Sequence, residues 1–279
     1  MKIMKKIFFF LCVAACFCAC DEIEGPYIDE NSYIPVMVDF DELDLGSVYR
    51  KVLIEDYTGH NCVNCPNGHA KLEELHGIYG DTLVAIGVHA GNFAVPTVEM
   101  PANFATEVGN QWCNDFEVQA FPSAIINRVK YGSYFFAQVS NWHNAILQVD
   151  RSKVYAAIQL VPSDDNDRLL ANAKVTIMED ITDPVQLNVI LIEDGIVSPQ
   201  LTSSGIVPDY VHNHVLRASF NGPYGKQLTE NGLVENGKAY TRAYALNWNP
   251  EWKRENCSLV AILLNMNTKE VLQVEKIDL

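Results

Sequence analysis

The 279-residue chain carries 20 Lys+Arg against 35 Asp+Glu, a formal net charge of −15 at pH 7. That balance argues against nucleic acid as a partner and against broad contact with anionic lipid headgroups. Eight cysteines are present, and four of them (Cys12, Cys16, Cys18 and Cys20) crowd the first twenty residues.

Lys2, Lys5 and Lys6 precede an apolar run over residues 7–19 that is too short to span a bilayer, which reads as a secretory signal. Its small residues and cysteines suggest the lipoprotein variety. Cys20, after Ala19 and before Asp21 and Glu22, is the expected lipidated N-terminus. Cys16, after Val13-Ala14-Ala15, is the alternative, although cleavage there leaves the apolar Phe17 beside the anchor; an ordinary secreted protein cut nearby is the third reading. Three of the basic residues and no acid lie before Cys20, so 17 against 35 leaves a mature charge of −18. No other apolar run is long enough to cross a membrane. The expectation is a chain tied to a membrane, not embedded in it.

Residues 21–47 read as a tether, with a short strand possible around Val36, Val38 and Phe40. A short apolar segment from Val52 to Ile54 ends in polar residues and Gly59, and Cys62 and Cys65 follow. Leu72, Leu75 and Tyr79 then recur at helical spacing. Residues 82–88 form a continuous apolar strand expected to be buried on both faces. A Gly-, Asn- and Pro-rich loop over 90–101 leads to a helix predicted over 102–115, with Phe104, Val108 and Trp112 on one side. A turn and strand entered at Pro122, a further strand over 134–138 and a helix over 142–149 complete an α/β unit on a mixed sheet.

From Lys153 the pattern changes. Ala171, Ala173, Val175 and Ile177 alternate with polar residues, as Val185, Leu187 and Val189 do with Gln186 and Asn188. About seven short strands with turn-rich joins predict an immunoglobulin-like β-sandwich over 153–279, after an α/β domain over 48–152.

The sharpest chemical signal is Cys62-Val-Asn-Cys65 at a strand-to-helix junction. Unpaired N–H groups at a helix start stabilise a thiolate, and the second cysteine can close an intramolecular disulfide. In an exported protein this pair is expected to be oxidised at rest. A structural disulfide pinning a loop is the competing reading. Cys113 and Cys257 are expected to be buried free thiols.

Residues 48–150 resemble the thioredoxin superfamily in three features: the Cys62–Cys65 motif between strand and helix, Asp56 six residues before it, and Val118-Gln-Ala-Phe-Pro122-Ser. The resemblance implies that Asp56 is a buried acid that moves protons and that Pro122 is a cis-proline facing the disulfide. On Asp56 a solvent-facing acid at a strand end is the other reading. The mature chain is also similar to the twenty-eight-kilodalton outer-membrane-protein-related lipoproteins of Gram-negative bacteria. That similarity rests on Asp56-Tyr-Thr-Gly-His-Asn-Cys-Val-Asn-Cys-Pro, Tyr210-Val-His-Asn-His-Val-Leu-Arg217 and Trp252-Lys-Arg-Glu-Asn-Cys257. It implies a thioredoxin-like domain before an immunoglobulin-like one, in outer-membrane or surface proteins sometimes described as adhesins, with no established reaction.

The motif departs from the catalytic thioredoxin pattern. Asn61 stands where a tryptophan is usual, and Val63-Asn64 replaces Gly-Pro, changes that retune a reduction potential and leave the fold expectation intact. Pro66 sits where c-type haem attachment needs histidine, so no cofactor is expected. His60, His69 and His89 are read as polar residues around a rim, with a copper or zinc site the lesser alternative; no metal is expected. His212 and His214 are read as one exposed strand face. Trp248 and Trp252, in a loop between strands, either grip a partner or cap the sandwich.

Two functions stay open. Either the protein exchanges thiols and disulfides with an envelope protein of unknown identity, through Cys62, Cys65, Asp56 and Pro122, or it is a non-catalytic binding or adhesion lipoprotein with a structural disulfide. The site is expected at the outer membrane, facing the periplasm or the outside.

Overall fold

The computed structural model describes residues 34–36 and 38–279, and residues 34–279 form one compact unit. The expected signal segment and the lipidation candidates Cys20 and Cys16 lie outside the described residues. No strand forms around Val36, Val38 and Phe40: the described residues before Val52 hold a single 3-10 turn, Leu45–Ser47. This stretch carries too few buried side chains to repay ordering into a sheet.

The first regular elements are β1 (Val52–Thr58), α1 (Cys65–Tyr79) and β2 (Leu83–His89). β1 and β2 pair in parallel with α1 as the crossover. Both strands are buried along their whole length, so their runs of Val, Leu and Ile need not alternate with polar residues. α2 (Glu107–Asp115) begins five residues later than its apolar spacing predicts, because the Thr106 hydroxyl accepts from Gly109 N at 2.9 Å and caps the helix there. Phe104 is left outside the helix. β3 (Ser123–Ile126), β4 (Phe136–Gln138) and α3 (Trp142–Leu147) complete this half, with β3 antiparallel to both β1 and β4.

Beyond Lys153 the chain is strands. The long ones are β5 (Ala156–Asp165), β6 (Arg168–Ile177) and β7 (Val185–Glu193). Four short segments follow: β8 (Ile196–Val197), β9 (Gln200–Thr202), β10 (Gly205–Val207) and β11 (Val211–His212). β12 (Val215–Ser219), β13 (Lys226–Gln227), β14 (Ala239–Asn247), β15 (Cys257–Asn265) and β16 (Val271–Asp278) end the fold. β14, β6 and β5 make a three-stranded sheet. Its apolar face (Ala171, Ala173, Val175 and Ile177) packs on Val185, Leu187, Val189 and Leu191 of β7 and on alternate residues of β15. The opposite face of β7, through Ile190 and Ile192, joins a second core with Tyr57, Ile86, Val88 and Trp112. A strand buried on both faces explains why its alternation with polar residues stops at Ile190.

One nine-stranded sheet therefore runs through both halves of the chain, in the order β16-β15-β7-β12-β2-β1-β3-β4, with β13 off β7. The seam is β12 against β2, where Val215 pairs with Gly87 in parallel and Gly87 N donates to His214 O at 2.6 Å. A Cβ on Gly87 would lie 3.2 Å from Asn213 O, so a glycine lets the two strands close. Behind the seam, Glu55 and Arg128 form a fully buried ion pair at 2.7 Å, with the guanidinium 4.7 Å from the Trp112 ring centroid.

Candidate functional site

β1 carries the chain past Asp56 and Thr58 into the turn Gly59-His60-Asn61, which delivers Cys62. Gly59 is required there: a Cβ would sit 2.4 Å from the Phe93 carbonyl oxygen, to which Asn61 N donates at 3.0 Å. Cys65 opens α1 with Pro66 in the first turn, where its missing N–H is not needed. Cys62 and Cys65 are joined in a disulfide and are 2% and 0% exposed. Pro122, after a cis peptide bond, packs over the first turns of α1, where a Cβ on Gly68 would come within 3.0 Å of its ring.

Asp56 lies in the middle of β1 and is buried. Its Oδ1 has no hydrogen-bond partner, and Oδ2 is 3.9 Å from His69 Nε2. Burial pushes the Asp56 carboxyl up to about 8, so it holds its proton at neutral pH. His69, one helical turn beyond Cys65, is placed by Thr58 Oγ1 at 2.9 Å from Nε2 and by the Tyr210 hydroxyl at 2.6 Å from Nδ1. Burial, with His212 and His214 nearby, lowers the imidazole to about 4. At pH 7 the Asp56–His69 contact is thus between uncharged groups and is not an ion pair.

Six of the seven histidines gather around this point. His60, His89 and His212 are buried, in place of the polar rim and the exposed strand face expected for them. Phe104 is their common neighbour, with ring centroids 6.0 Å from His60 and 5.0 Å from both His89 and His212. Burial lowers all three imidazoles, His212 to about 4. His214 does not share a strand face with His212. Its φ of 59° ends β11, and its Nδ1 lies 3.1 Å from Asp194. Asp56, Thr58, His69, His89 and His212 border a cavity of about 30 Å³, room for one or two waters. Among the described residues, no three of His, Cys, Asp and Glu are arranged to hold a metal ion.

The structure brings Cys62, Cys65, Asp56 and Pro122 to one end of α1. Trp248 and Trp252 are elsewhere: they stack edge to face at 5.5 Å and pack against the core between the two sheets. Cys113 and Cys257 are free and buried. Sequence reasoning missed Gln200, whose Nε2 donates to Cys62 O at 3.0 Å, and the contact of Tyr210 with His69. Tyr210 and His212 stood in a segment noted for resemblance, but nothing local connects them to a helix 140 residues upstream. Among the described residues no helix is long and apolar enough to cross a membrane.

Fold and site define a mixed α/β protein, mostly strand, with a Cys-x-x-Cys disulfide at the start of a helix. The chain belongs to the family of outer membrane protein Omp28, which it matches over residues 109–279, and that membership suggests association with the outer membrane. The matched stretch holds Pro122, Gln200 and Tyr210 and begins after the Cys62–Cys65 turn. Among solved structures, HBP35 of Porphyromonas gingivalis is similar with a TM-score of 0.62 at 16% identity, over 84% of this chain and 76% of that one. A protein of Agrobacterium tumefaciens matches with a TM-score of 0.50 at 10% identity, over 83% and 95%. A domain of the outer membrane lipoprotein Omp28 from Porphyromonas gingivalis is 26% identical over 45% of this chain and 88% of its own, with a TM-score of 0.31. No curated protein matches.

Proposed function

We propose that this chain is a cell-envelope lipoprotein, anchored through Cys20, that exchanges thiols and disulfides with envelope proteins. Residues 48–152 are its thioredoxin-like part and residues 153–279 its immunoglobulin-like sandwich. The carrying observation is the Cys62–Cys65 disulfide at the start of α1, with Pro122 over its first turns and buried Asp56 on the adjoining strand.

In the reduced form, the Cys62 thiolate attacks a partner disulfide, forming a mixed disulfide and releasing one partner thiolate. Cys65, its proton passed to the minor fraction of Asp56 that is ionised at neutral pH, attacks Cys62 Sγ and expels the second partner thiolate. Two electrons have then moved to the partner, and Cys62–Cys65 is the disulfide seen here. A partner dithiol drives the same steps backward and regenerates the reduced pair.

The second reading is a non-catalytic binding or adhesion lipoprotein. The burial of both cysteines favours it, because a sealed disulfide suits a structural brace. The reduction potential of the pair separates the two. A value below about −300 mV supports the brace, and one between roughly −270 and −120 mV supports exchange. Under exchange, Cys65→Ser accumulates mixed disulfides on non-reducing gels; a clean monomer argues against it.

A further inference from the structure

A disulfide that exchanges with proteins has to be reached, and here the β9–β10 hairpin stands against the backbone of the turn that delivers Cys62. Gln200 is buried, and its Nε2 donates to Cys62 O at 3.0 Å, with Gly59 O at 3.4 Å. The next residue, Leu201, donates its N–H to His60 O at 2.8 Å. Residues 200 and 201 thus grip the turn that presents Cys62 at three of its carbonyls, those of Gly59, His60 and Cys62. The loop around Phe93 grips the same turn from elsewhere, through Asn61 N to Phe93 O and Asn61 Nδ2 to Val95 O at 2.6 Å.

The two grips differ in how firmly they are rooted. The Phe93 loop is rooted through Phe93, whose ring lies 5.4 Å from Phe121, a side chain packed against an apolar core, and through the fully buried Ala94. β9 and β10 form a separate two-stranded sheet outside the nine-stranded one, and Leu201, Ile206 and Val207 join none of the apolar cores. The tip from Ser203 to Ile206 is exposed. An isolated two-stranded ribbon with few buried apolar contacts is at the low-stability end of a fold. Gln200 Oε1 is also buried without a partner, which weakens the closed state further.

We propose that the β9–β10 hairpin is a gate over Cys62–Cys65. While Gln200 and Leu201 hold the Gly59–Cys62 turn, the disulfide is closed to thiols. An incoming extended, thiol-bearing segment reaches Cys62 by displacing the hairpin and supplying its own backbone N–H groups to the carbonyls of Gly59, His60 and Cys62. The partner half of this inference rests on the exchange reading; the gate does not.

The test is the rate at which dithiothreitol reduces the folded, full-length chain, with timed aliquots quenched in excess iodoacetamide. Each event converts two dithiothreitol thiols to its cyclic disulfide while Cys62 and Cys65 take up two electrons and two protons, and alkylation then caps both. Peptide mapping reads the alkylated pair. Gln200→Ala removes the contact with Cys62, and the gate predicts reduction about tenfold faster than wild type, with the unfolding temperature lowered by only a few degrees. Leu201→Pro, which deletes the N–H to His60, gives the same result if Gln200→Ala fails to fold. Asn61→Ala loosens the other grip and stays within about twofold of wild type. Equal rates for wild type and folded hairpin variants overturn the gate, as does equal acceleration by Asn61→Ala. Faster reduction in Gln200→Ala with no mixed disulfide trapped by Gln200→Ala/Cys65→Ser leaves the gate standing and removes the exchange reading.

Discussion

The Tyr210 hydroxyl lies 2.6 Å from His69 Nδ1, across 141 residues of sequence, and fixes the face of α1 that follows Cys65 to the C-terminal half of the chain. The other ring nitrogen of His69 meets Thr58 on β1. One imidazole thereby joins the first strand, the cysteine helix and the segment leading into β11. We predict that Tyr210→Phe, which keeps the ring and its packing, lowers stability by about 1 kcal/mol, the net worth of one such bond. Urea unfolding followed by tryptophan fluorescence measures it. An unchanged midpoint would show that the bond contributes nothing to holding the halves together.

Acid sensitivity follows from the buried histidines. His60, His69, His76, His89 and His212 are all lowered, chiefly by burial, with His69 and His212 near 4. Below pH 6.5 the unfolded chain binds protons that the folded chain refuses, so stability falls as pH drops from 6.5 towards 4. Asp56 works in the opposite sense. Its folded carboxyl keeps a proton up to about 8 while the unfolded one releases it near 3.8, so its contribution is full below 3.8 and lost as pH rises through 8. Five imidazoles against one carboxyl make acid the destabilising direction between pH 6.5 and 4. We predict that Asp56→Asn steepens this acid loss and flattens the decline from neutral to pH 8. Denaturant midpoints at half-unit steps from pH 4 to 9 test both signs, and a wild-type midpoint that rises on acidification would contradict the assignment.

Much of the helix-bearing half was legible in the sequence because its signals are local. The β1–α1–β2 unit announces itself by an apolar run, a helical repeat and a second apolar run, and Cys62, Cys65 and Pro66 mark the helix start. The site was half legible. Asp56 could be named through a family pattern, but its burial depends on strands that come later. His60 and His89 looked like rim residues because neither neighbouring sequence nor spacing records that Phe104 and His212 close over them. His212 and His214 have the spacing of one strand face, and the left-handed backbone at His214 breaks that strand. Gln200 carries no local signature at all: its role exists only once a 138-residue loop is closed.

Arg128 and Glu55 form the buried ion pair behind this site, bidentate and sealed from solvent on both sides. Removing one member leaves a charge in a medium that cannot solvate it. We predict that Arg128→Met costs roughly 3–5 kcal/mol, and that Arg128→Met with Glu55→Met recovers part of the loss, since two apolar side chains strand no charge. A double-mutant cycle by chemical denaturation measures the coupling. A double variant no better than Arg128→Met alone would assign the loss to packing of the guanidinium on Trp112.

Cys113 and Cys257 report on the fold independently of the disulfide. Both are buried, and burial raises both thiols, Cys257 to about 12. The thiolate is the reactive form, so neither should react while the chain is folded. We predict that native alkylation at pH 8 labels neither residue, whereas alkylation in denaturant labels both and leaves Cys62 and Cys65 unmodified until reductant is added. Site-resolved mass spectrometry distinguishes all four positions. Rapid native labelling of Cys257 would mean that β15 opens at its first residue, where Cys257 pairs with Glu193 of β7.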